Sequence, residues 1–401
     1  MALDLDRIRR ETPACEKRIY LNNAGCSLQP TPVYRAVLEY LDQEQETGGY
    51  EAAAARQPEL EGFYDSVARL INCRPDEIAY CESATRGWQQ FFYSLRLNPG
   101  DRIITTRVDY GSNMVAYIQA SRYRDVEIVF LDTDEKGDID LDHLHRLVTD
   151  RTRLISVSHI PTGNGMINPA EKIGEIAGSA GVPFLLDACQ SSGHLDLDVK
   201  RLQCTALSTA GRKYLRGPRG SGFLFVSREY LENAHPAFLE QQGADLIDET
   251  SYQLVESARR FENFECNLAG KLGLGVAVNY AMQWGLAGIE DRVIRLGARC
   301  RECLEEIPGV QVHDQGSRQC GIVTFTVEGV EASVLRSRLA GKGIHIWVSA
   351  GPGSLVDFQQ RGLDAVARAS VHYFNTREEI EIFGTAIASI AARARQCGQS
   401  R

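Results

Sequence analysis

The sequence of 401 residues contains no long uninterrupted apolar segment. A helix that crosses a bilayer needs about 20 predominantly apolar residues, and no run in the chain approaches that length. The N-terminal stretch MALDLDRIRRETP is also too charged to contain the apolar core of a secretory signal peptide. We therefore expect a cytoplasmic protein that does not interact with a membrane.

Positive charge is in deficit as well. The 44 Lys and Arg residues are outnumbered by 53 Asp and Glu residues, which gives a formal net charge of −9. Nucleic-acid binding normally requires clustered positive charge. A nucleic-acid partner is therefore not expected.

The eleven cysteines follow no spacing that is typical of a disulfide scaffold. In a long chain, an odd and scattered set of cysteines favours reduced thiols. Cys300 and Cys303 form a CxxC pair, but they lie in a charged helical segment without a second pair or nearby histidine ligands. We therefore expect no metal site.

The chain does contain a regular alternation of strand-like and helix-like segments. Apolar runs rich in β-branched or aromatic residues predict strands at DRIITT, VEIVFLD, TRLISVSHI, VPFLLDA and SGFLFVS. Segments between them, such as PAEKIGEIAGSAG, have the spacing of amphipathic helices. This pattern predicts an α/β domain in which helices flank a mostly parallel sheet.

The pattern changes after about residue 265. Two long helical segments, AGKLGLGVAVNYAMQWGL and GIEDRVIRLGARCRECLEEI, precede strand-like GIVTFTV and IHIWVS and a terminal helix. We interpret this part as a smaller α+β domain, with the boundary at one of the helices near residues 270 to 290. The predicted division is an N-terminal segment at 1–25 that packs with the small domain, a large domain at 26–268 and a small domain at 269–401.

Two ionisable residues follow apolar, strand-like runs. Asp187 ends VPFLLD, and Lys213, which ends CTALSTAGRK, comes 26 residues later. A lysine amine can hold the aldehyde of pyridoxal phosphate as an imine, and a buried carboxylate can keep the pyridine nitrogen protonated so that the ring accepts electrons. Either residue alone is more often an ordinary surface charge. The surrounding motifs favour the cofactor interpretation.

Two motifs follow predicted strands, and the first of them also precedes a predicted helix. Ser83, Ala84 and Thr85 follow a strand, where hydroxyls and free backbone N–H groups suit a phosphate, although the serine can equally be an N-cap. Tyr110 follows DRIITTRV at the carboxyl edge of the sheet, where ligands of open α/β sheets bind. It is placed to stack on a flat cofactor ring, and a core tyrosine is the alternative.

The loop SHIPTGNG follows another predicted strand. It can place Thr162 or Asn164 at the substrate or at the ring hydroxyl of the cofactor. His159, at the start of the same loop, is expected to be structural.

Further polar groups follow the next two strands. Gln190 comes three residues after Asp187 and can reach the ring oxygen from the same loop. Ser208 and Arg212 can reach phosphate oxygens. The glycines of GPRGSG precede a strand instead of a helix, so they favour a tight turn beside the cofactor over a dinucleotide site.

Taken in order, YLNNAG, SHIPTGNG, DACQ and TAGRKYLRGPRGSG resemble the motifs of the class V aminotransferase group of fold-type I pyridoxal phosphate enzymes. This group includes cysteine desulfurases, cysteine/cystine C–S lyases, isopenicillin N epimerase and kynureninase. The resemblance extends over nearly the whole chain. It implies pyridoxal 5'-phosphate as the cofactor, an amino acid as the substrate, and a homodimer in which a loop of the neighbouring subunit completes each site.

The resemblance also implies a role for individual residues. Lys213 is the imine lysine, Asp187 pairs with the pyridine nitrogen, and Gln190 contacts the ring oxygen. Tyr110 stands where many relatives stack a histidine on the ring. The phosphate-pocket candidates are Ser83, Ala84, Thr85, Ser208 and Arg212.

Two substrate-binding positions are implied as well. Arg368, in ARASVHYFNTREEIE, matches the arginine that binds the substrate carboxylate. A planar guanidinium suits this role because it can bind a carboxylate through two parallel hydrogen bonds. Asn23, together with Asn22, is expected to line the entrance from the N-terminal segment.

Two departures from the family pattern affect the functional prediction. Cysteine desulfurases carry a nucleophilic cysteine in the loop before the carboxylate-binding arginine, whereas SAGPGSLVDFQQRGLDAVAR contains none. A persulfide relay through this loop is therefore not expected. In FENFECNLAG, Glu265 or Cys266 stands where relatives often present a small hydroxyl residue to the partner subunit's phosphate, and the effect of this change stays open.

The favoured hypothesis is a C–S lyase that acts on cysteine or an S-substituted cysteine. Lys213 would remove the α-proton, and a sulfur substituent on the β-carbon would then be eliminated. An aminotransferase, epimerase or decarboxylating enzyme shares the same carbanion and is an alternative. A non-catalytic scaffold with this fold is the alternative outside the enzyme class.

Overall fold

The computed structural model describes residues 3–399. In this part the α-helices are α1 (Leu5–Arg10), α2 (Thr31–Thr47), α3 (Gly49–Ala55), α4 (Gln57–Ile71), α5 (Ala84–Ser94), α6 (Gly111–Arg124), α7 (Leu141–Leu147), α8 (Ala170–Ala180), α9 (Val199–Leu202), α10 (Arg228–Leu231), α11 (Leu268–Trp284), α12 (Leu286–Glu305), α13 (Ala332–Ala340), α14 (Leu355–Arg361) and α15 (Arg377–Gln399). Short 3₁₀ helices lie at Pro13–Glu16, Pro75–Glu77, Ala258–Phe261 and Gly351–Gly353. The strands are β1 (Ile19–Tyr20), β2 (Ile78–Cys81), β3 (Arg102–Thr105), β4 (Glu127–Phe130), β5 (Thr152–Ser158), β6 (Phe184–Asp187), β7 (Ala206–Ala210), β8 (Gly222–Val226), β9 (Ala244–Leu246), β10 (Tyr252–Leu254), β11 (Val310–Val312), β12 (Ile322–Val327), β13 (Ile344–His345), β14 (Trp347–Ala350) and β15 (Ala365–Ser370).

A seven-stranded sheet with the order β2-β8-β7-β6-β5-β3-β4 forms the centre of the molecule. Strands β3 to β7 run parallel, and β8 is antiparallel to both of its neighbours. Strands β6, β7 and β8 are buried at every residue, which explains their near-continuous apolar sequences, because helices cover both faces of such a sheet. The predicted α/β architecture with a mostly parallel sheet is confirmed.

The ends of neighbouring strands align at one edge of this sheet. Ser158, the last residue of β5, is in register with Asp187, the last residue of β6, and Asp187 is in register with Ser208 of β7. Because these strands run in the same direction, the loops that follow them open at a common edge. This carboxyl edge brings together the polar residues that the sequence singles out.

A smaller antiparallel sheet has the order β11-β12-β15-β14 and matches the predicted α+β part. Arg368 lies on β15, opposite Thr324 of β12 and Trp347 of β14. Helix α11 packs on α2 and α4, which belong to the large part, whereas α12 packs on α15 and on strands of the small sheet. The division at residue 268 stays a prediction.

Residues 19–27, which we call the N-terminal bridge, contact both parts of the molecule. Strand β1 pairs in parallel with β13, and the N–H of Ser370 donates to the carbonyl of Leu21 (2.8 Å). On the other side, Nε2 of Gln190 donates to the carbonyl of Ala24 (3.0 Å). The bridge therefore joins the small sheet to the carboxyl edge of the large one.

The hairpin of β9 and β10 was not predicted from the sequence. Its six paired residues are exposed or half-buried, so they lack the apolar runs that identify the other strands. No helix between residues 3 and 399 is both long and apolar enough to cross a bilayer. The ten cysteines whose side chains the structure describes are all free.

Candidate active site

Asp187 and Lys213 meet at the carboxyl edge of the large sheet. Oδ1 of Asp187 accepts a hydrogen bond from the N–H of Cys189 (2.9 Å), and Oδ2 accepts one from Nδ2 of Asn113 (3.3 Å). Lys213 is buried in the loop after β7, and within the described residues its amine forms no hydrogen bond. Burial lowers the pKa of Lys213, and the nearby Cys189 and Asp187 oppose this shift. The amine is thus more easily kept neutral, and hence nucleophilic, than that of an exposed lysine.

A chain of hydrogen bonds links Gln190 to Arg368 through the hydroxyl of Thr162. Nη1 of Arg368 donates to Oγ1 (2.6 Å) and to the carbonyl oxygen (3.0 Å) of Thr162. Nε2 of Gln190 donates to the same Oγ1 (3.2 Å). Oε1 of Gln190 and Nε of Arg368 are buried and have no partner among the described residues. Each side chain therefore keeps a polar atom for a ligand.

The charge of Arg368 suits a carboxylate. The side chain is 4% exposed, and burial lowers its pKa to about 10. At that pKa the guanidinium is still protonated at neutral pH. It can therefore bind a substrate carboxylate from inside the pocket.

The structure distinguishes the two candidates in the SHIPTGNG loop. Asn164 donates to Oε1 of Gln315 (3.0 Å) and accepts from the N–H groups of Gln315 (3.0 Å) and Met166 (3.2 Å), so its amide ties the loop to the small sheet. Thr162 is the one that meets Gln190 and Arg368. His159 is buried, and burial lowers its pKa to about 3.

The N-terminus of α5 offers the predicted phosphate site. Ser83 is the N-cap, and its Oγ accepts from the N–H of Arg86 (3.2 Å). The N–H groups of Ala84 and Thr85, in the first turn of α5, have no acceptor within the helix. A Cβ on Gly222 would lie 3.4 Å from the nitrogen of Ala84 and 2.4 Å from the carbonyl oxygen of Thr209, so only a glycine fits between β7 and the start of α5.

Ser208 and Arg212, the other phosphate candidates, differ in their contacts. Oγ of Ser208 is buried and has no partner in the described chain, so it is free for a ligand. The Arg212 guanidinium instead donates to the carbonyl of Gly25 in the N-terminal bridge. Its phosphate-binding role stays a prediction.

Tyr110 is the N-cap of α6 and is 37% exposed at the carboxyl edge. Its place on that edge is the one that the sequence predicts. Stacking on a cofactor ring stays a prediction.

Asn23 is buried in the N-terminal bridge, where its amide is already bonded. Its Nδ2 donates to the carbonyl of Ser370 (2.7 Å), and its Oδ1 accepts from the hydroxyl of Ser27 (2.8 Å). Oδ1 of the adjacent Asn22 is buried and has no partner within residues 3–399. The substrate-binding role of Asn23 stays a prediction, and Asn22 has the freer side chain.

The loop that lacks a cysteine lies beside the site. A Cβ on Gly163 would lie 2.5 Å from Oγ of Ser354, which follows the 3₁₀ helix Gly351–Gly353. Gly163 is adjacent to Thr162, the hydrogen-bond partner of Arg368. The segment before Arg368 therefore lies beside the SHIPTGNG loop, and its residue at this contact is a serine and not a cysteine.

The segment with Glu265 and Cys266 lies near the predicted phosphate site. Nδ2 of Asn263 donates to Oε1 of Glu82 (3.3 Å), the residue before Ser83. Burial raises the pKa of Cys266 to about 11. The thiol is therefore neutral at neutral pH.

Three residues at the site escaped the sequence analysis. Cys189 and Asn113 both bond to Asp187, and Asn113 also bonds to Asp109. Asp109 and Asn113 directly follow the predicted strand DRIITTRV and are four residues apart, at the start of α6 in the structure. This spacing is the signal that could have identified them.

The side chains at this edge fit the cofactor that the sequence predicts. A buried amine, a carboxylate, the unpartnered Oε1 of Gln190 and Oγ of Ser208, and an open helix N-terminus complement an aldehyde, a pyridine ring and a phosphate. No group of three or more metal-ligating side chains occurs in the described residues.

Comparison with known proteins identifies relatives that match nearly the whole chain. The profile of the aminotransferase class-V family matches residues 19–383. A probable cysteine desulfurase of Synechocystis sp. is 30% identical over 380 residues, which cover 91% of this chain and 89% of that protein. The apo structure of a cysteine desulfurase from Thermococcus onnurineus NA1 superposes with a TM-score of 0.90 at 25% identity and covers 98% of this chain and 99% of its own. A cystine C–S lyase in complex with its reaction product cysteine persulfide shares the fold, with a TM-score of 0.84 at 21% identity over 94% of this chain and 99% of its own.

Proposed function

We propose, since the chain belongs to the aminotransferase class-V family, that it is a pyridoxal phosphate-dependent C–S lyase acting on cysteine or an S-substituted cysteine. With cysteine and water as reactants, the products are pyruvate, ammonia and hydrogen sulfide. One observation carries the proposal: the site has a buried Lys213 amine without a hydrogen bond to any described residue, and the loop beside Thr162 has no cysteine.

Five groups would hold the cofactor. Lys213 would bind its aldehyde, Asp187 its pyridine nitrogen and Gln190 its ring oxygen, while Ser208 and the N-terminus of α5 would bind its phosphate. When bound, pyridoxal phosphate supplies an electron sink that stabilises negative charge at the α-carbon of an amino acid.

The protein's own side chains orient the substrate and move its proton. Arg368 binds the carboxylate, and its remaining hydrogen bonds to Thr162 keep the guanidinium in one orientation. The amine of Lys213, whose pKa burial lowers, takes the proton from the α-carbon. Burial of both side chains limits the access of water to the reacting atoms.

The surroundings of the pocket favour release of the sulfur as sulfide. The loop beside Thr162 presents Ser354, which cannot accept sulfur as a persulfide. Cys189 is the thiol beside Lys213, but burial raises its pKa to about 12. A protonated thiol is a poor nucleophile.

A cysteine desulfurase is the second candidate, because the similar proteins named above include cysteine desulfurases. That reaction converts cysteine to alanine and transfers the sulfur atom to a thiol. Cys189, which lies beside Lys213, is the first candidate for the acceptor.

One assay separates these functions. The holoenzyme is incubated with cysteine or S-ethylcysteine, and pyruvate, alanine, sulfide and protein-bound persulfide are quantified. We expect pyruvate and sulfide in equal amounts from cysteine, with loss of both in Lys213→Ala and full retention in Lys172→Ala, an exposed lysine on α8. Alanine with a persulfide that disappears in Cys189→Ser would identify a desulfurase. A protein that binds no cofactor would contradict both.

The proposal extends to assembly and location. A homodimer is implied by the family resemblance and is supported by exposed apolar side chains on the β9–β10 hairpin, namely Leu246, Ile247 and Tyr252. The cytoplasmic location stays a prediction.

A further inference from the structure

A second buried carboxylate, Asp109, lies behind Asp187, and one amide joins the two. Nδ2 of Asn113 is 3.3 Å from Oδ2 of Asp187 and 3.2 Å from Oδ1 of Asp109. Asp109 is 2% and Asn113 is 1% exposed. An amide nitrogen has two hydrogens, so Asn113 can donate one to each carboxylate and has none left for water.

Asp109 is held by donors from three directions. Oδ2 accepts from the hydroxyls of Thr105 at the end of β3 (3.1 Å) and Tyr117 of α6 (2.7 Å). Oδ1 accepts from the hydroxyl of Ser158 at the end of β5 (2.5 Å) and from the N–H of Tyr110 (2.7 Å). Such a set of donors fixes the carboxylate and favours its ionised form, against the burial that raises its pKa.

The same contacts restrict Asp187. One of its oxygens accepts from the N–H of Cys189 and the other from Asn113. The carboxylate plane is therefore fixed before any ligand arrives. The lone pairs that these two donors leave free are the ones available for a pyridine nitrogen.

We propose that Asn113 is a positioning residue that orients Asp187 toward the pyridine nitrogen of the cofactor, with Asp109 as its anchor. The inference rests on the proposed function. The other titratable and charged groups that face this pair are Tyr117 from α6, Cys189 from the loop after β6, and Lys213 and Arg212 from the loop after β7.

Asn113→Ala tests the inference by removing both donated bonds. Loss of a hydrogen bond to a charged group predicts roughly tenfold weaker cofactor binding. We also expect a change in the pH at which the visible absorption band of the bound cofactor shifts. Equilibrium titration of the apoprotein measures the first effect, and spectra from about pH 6 to 9 measure the second.

Asn375→Ala is the matched control, because Asn375 is also a buried amide that donates to a carboxylate, that of Glu379 (2.8 Å), and it bonds to neither Asp187 nor Asp109. It should match the wild type in affinity and in spectral pH dependence. If Asn113→Ala does not fold, Asn113→Ser replaces it, since the short hydroxyl cannot span both carboxylates.

The inference is overturned if the Asn113 variant lowers only the melting temperature of the apoprotein and retains wild-type affinity and spectra. Equal effects of the Asn113 and Asn375 variants would overturn it too. Failure of the proposed function has a different signature, because the wild type itself would then bind no cofactor.

Discussion

Replacement of Arg368 by lysine tests how the pocket recognises its substrate. The substitution keeps a positive charge but removes the planar fork that can bind a carboxylate through two bonds. A lysine also has a single nitrogen, so it cannot bond to Thr162 through one nitrogen, as Nη1 of Arg368 does, and keep another, such as Nε, free for the substrate. The effect should therefore appear in substrate binding and not in cofactor content.

The magnitude follows from one lost hydrogen bond between charged groups. Such a bond contributes about 1.5 to 3 kcal/mol. Since about 1.4 kcal/mol corresponds to a factor of ten, kcat/KM for cysteine should fall roughly 10- to 150-fold. Most of the change should be a higher KM, because the lysine amine can still attract the carboxylate.

The assay compares cysteine with cysteamine, which lacks the carboxylate, in steady-state measurements of sulfide release. We expect Arg368→Lys to reduce the preference for cysteine and to leave the rate with cysteamine within about threefold of the wild type. Arg361→Lys is the control, since Arg361 is a half-buried arginine that pairs with Asp357 on α14 (3.0 Å) and does not bond to Thr162.

Two results would refute this reasoning. An unchanged KM for cysteine in Arg368→Lys would show that another group binds the carboxylate. An equal loss with cysteine and cysteamine would show that the substitution damages the pocket in general.

Two further predictions concern Thr162 and Lys213. Thr162→Val removes the hydroxyl that accepts hydrogen bonds from both Arg368 and Gln190. We expect KM for cysteine to rise about two- to tenfold in steady-state kinetics, with the cofactor content, measured by absorbance, unchanged. A wild-type KM would contradict the role of this hydroxyl. The rate at which the apoprotein binds pyridoxal phosphate should rise with pH and reach a plateau below about pH 10.5. The reason is that burial lowers the pKa of Lys213 and the neutral amine is the reactive form. A stopped-flow rate that keeps rising through about pH 10.5 would contradict this prediction.

Local sequence patterns predict much of the fold because they have local causes. Strands β6 to β8 are buried on both faces, so their apolar runs identify them without knowledge of their partners. The β9–β10 hairpin is exposed and carries no such signal.

The residues at the carboxyl edge were predictable for a similar reason. Asp187 directly follows a recognisable strand, and Lys213 lies in the loop after another, so topology alone brings them together. Contacts such as that between Thr162 and Arg368 join residues 206 positions apart and depend on how the small sheet packs on the large one. Sequence patterns therefore left Thr162 and Asn164 as equal candidates, and they did not identify Asn113.

The N-terminal bridge affects when a newly made chain can become active. Asn23 bonds to Ser370, 347 positions later, and Ala24 bonds to Gln190, 166 positions later. Because the ribosome synthesises the chain from its N-terminus, both contacts can exist only after residue 370 has been added. Arg368 lies on the same strand as Ser370, so it also reaches its partner Thr162 only at this late stage of synthesis.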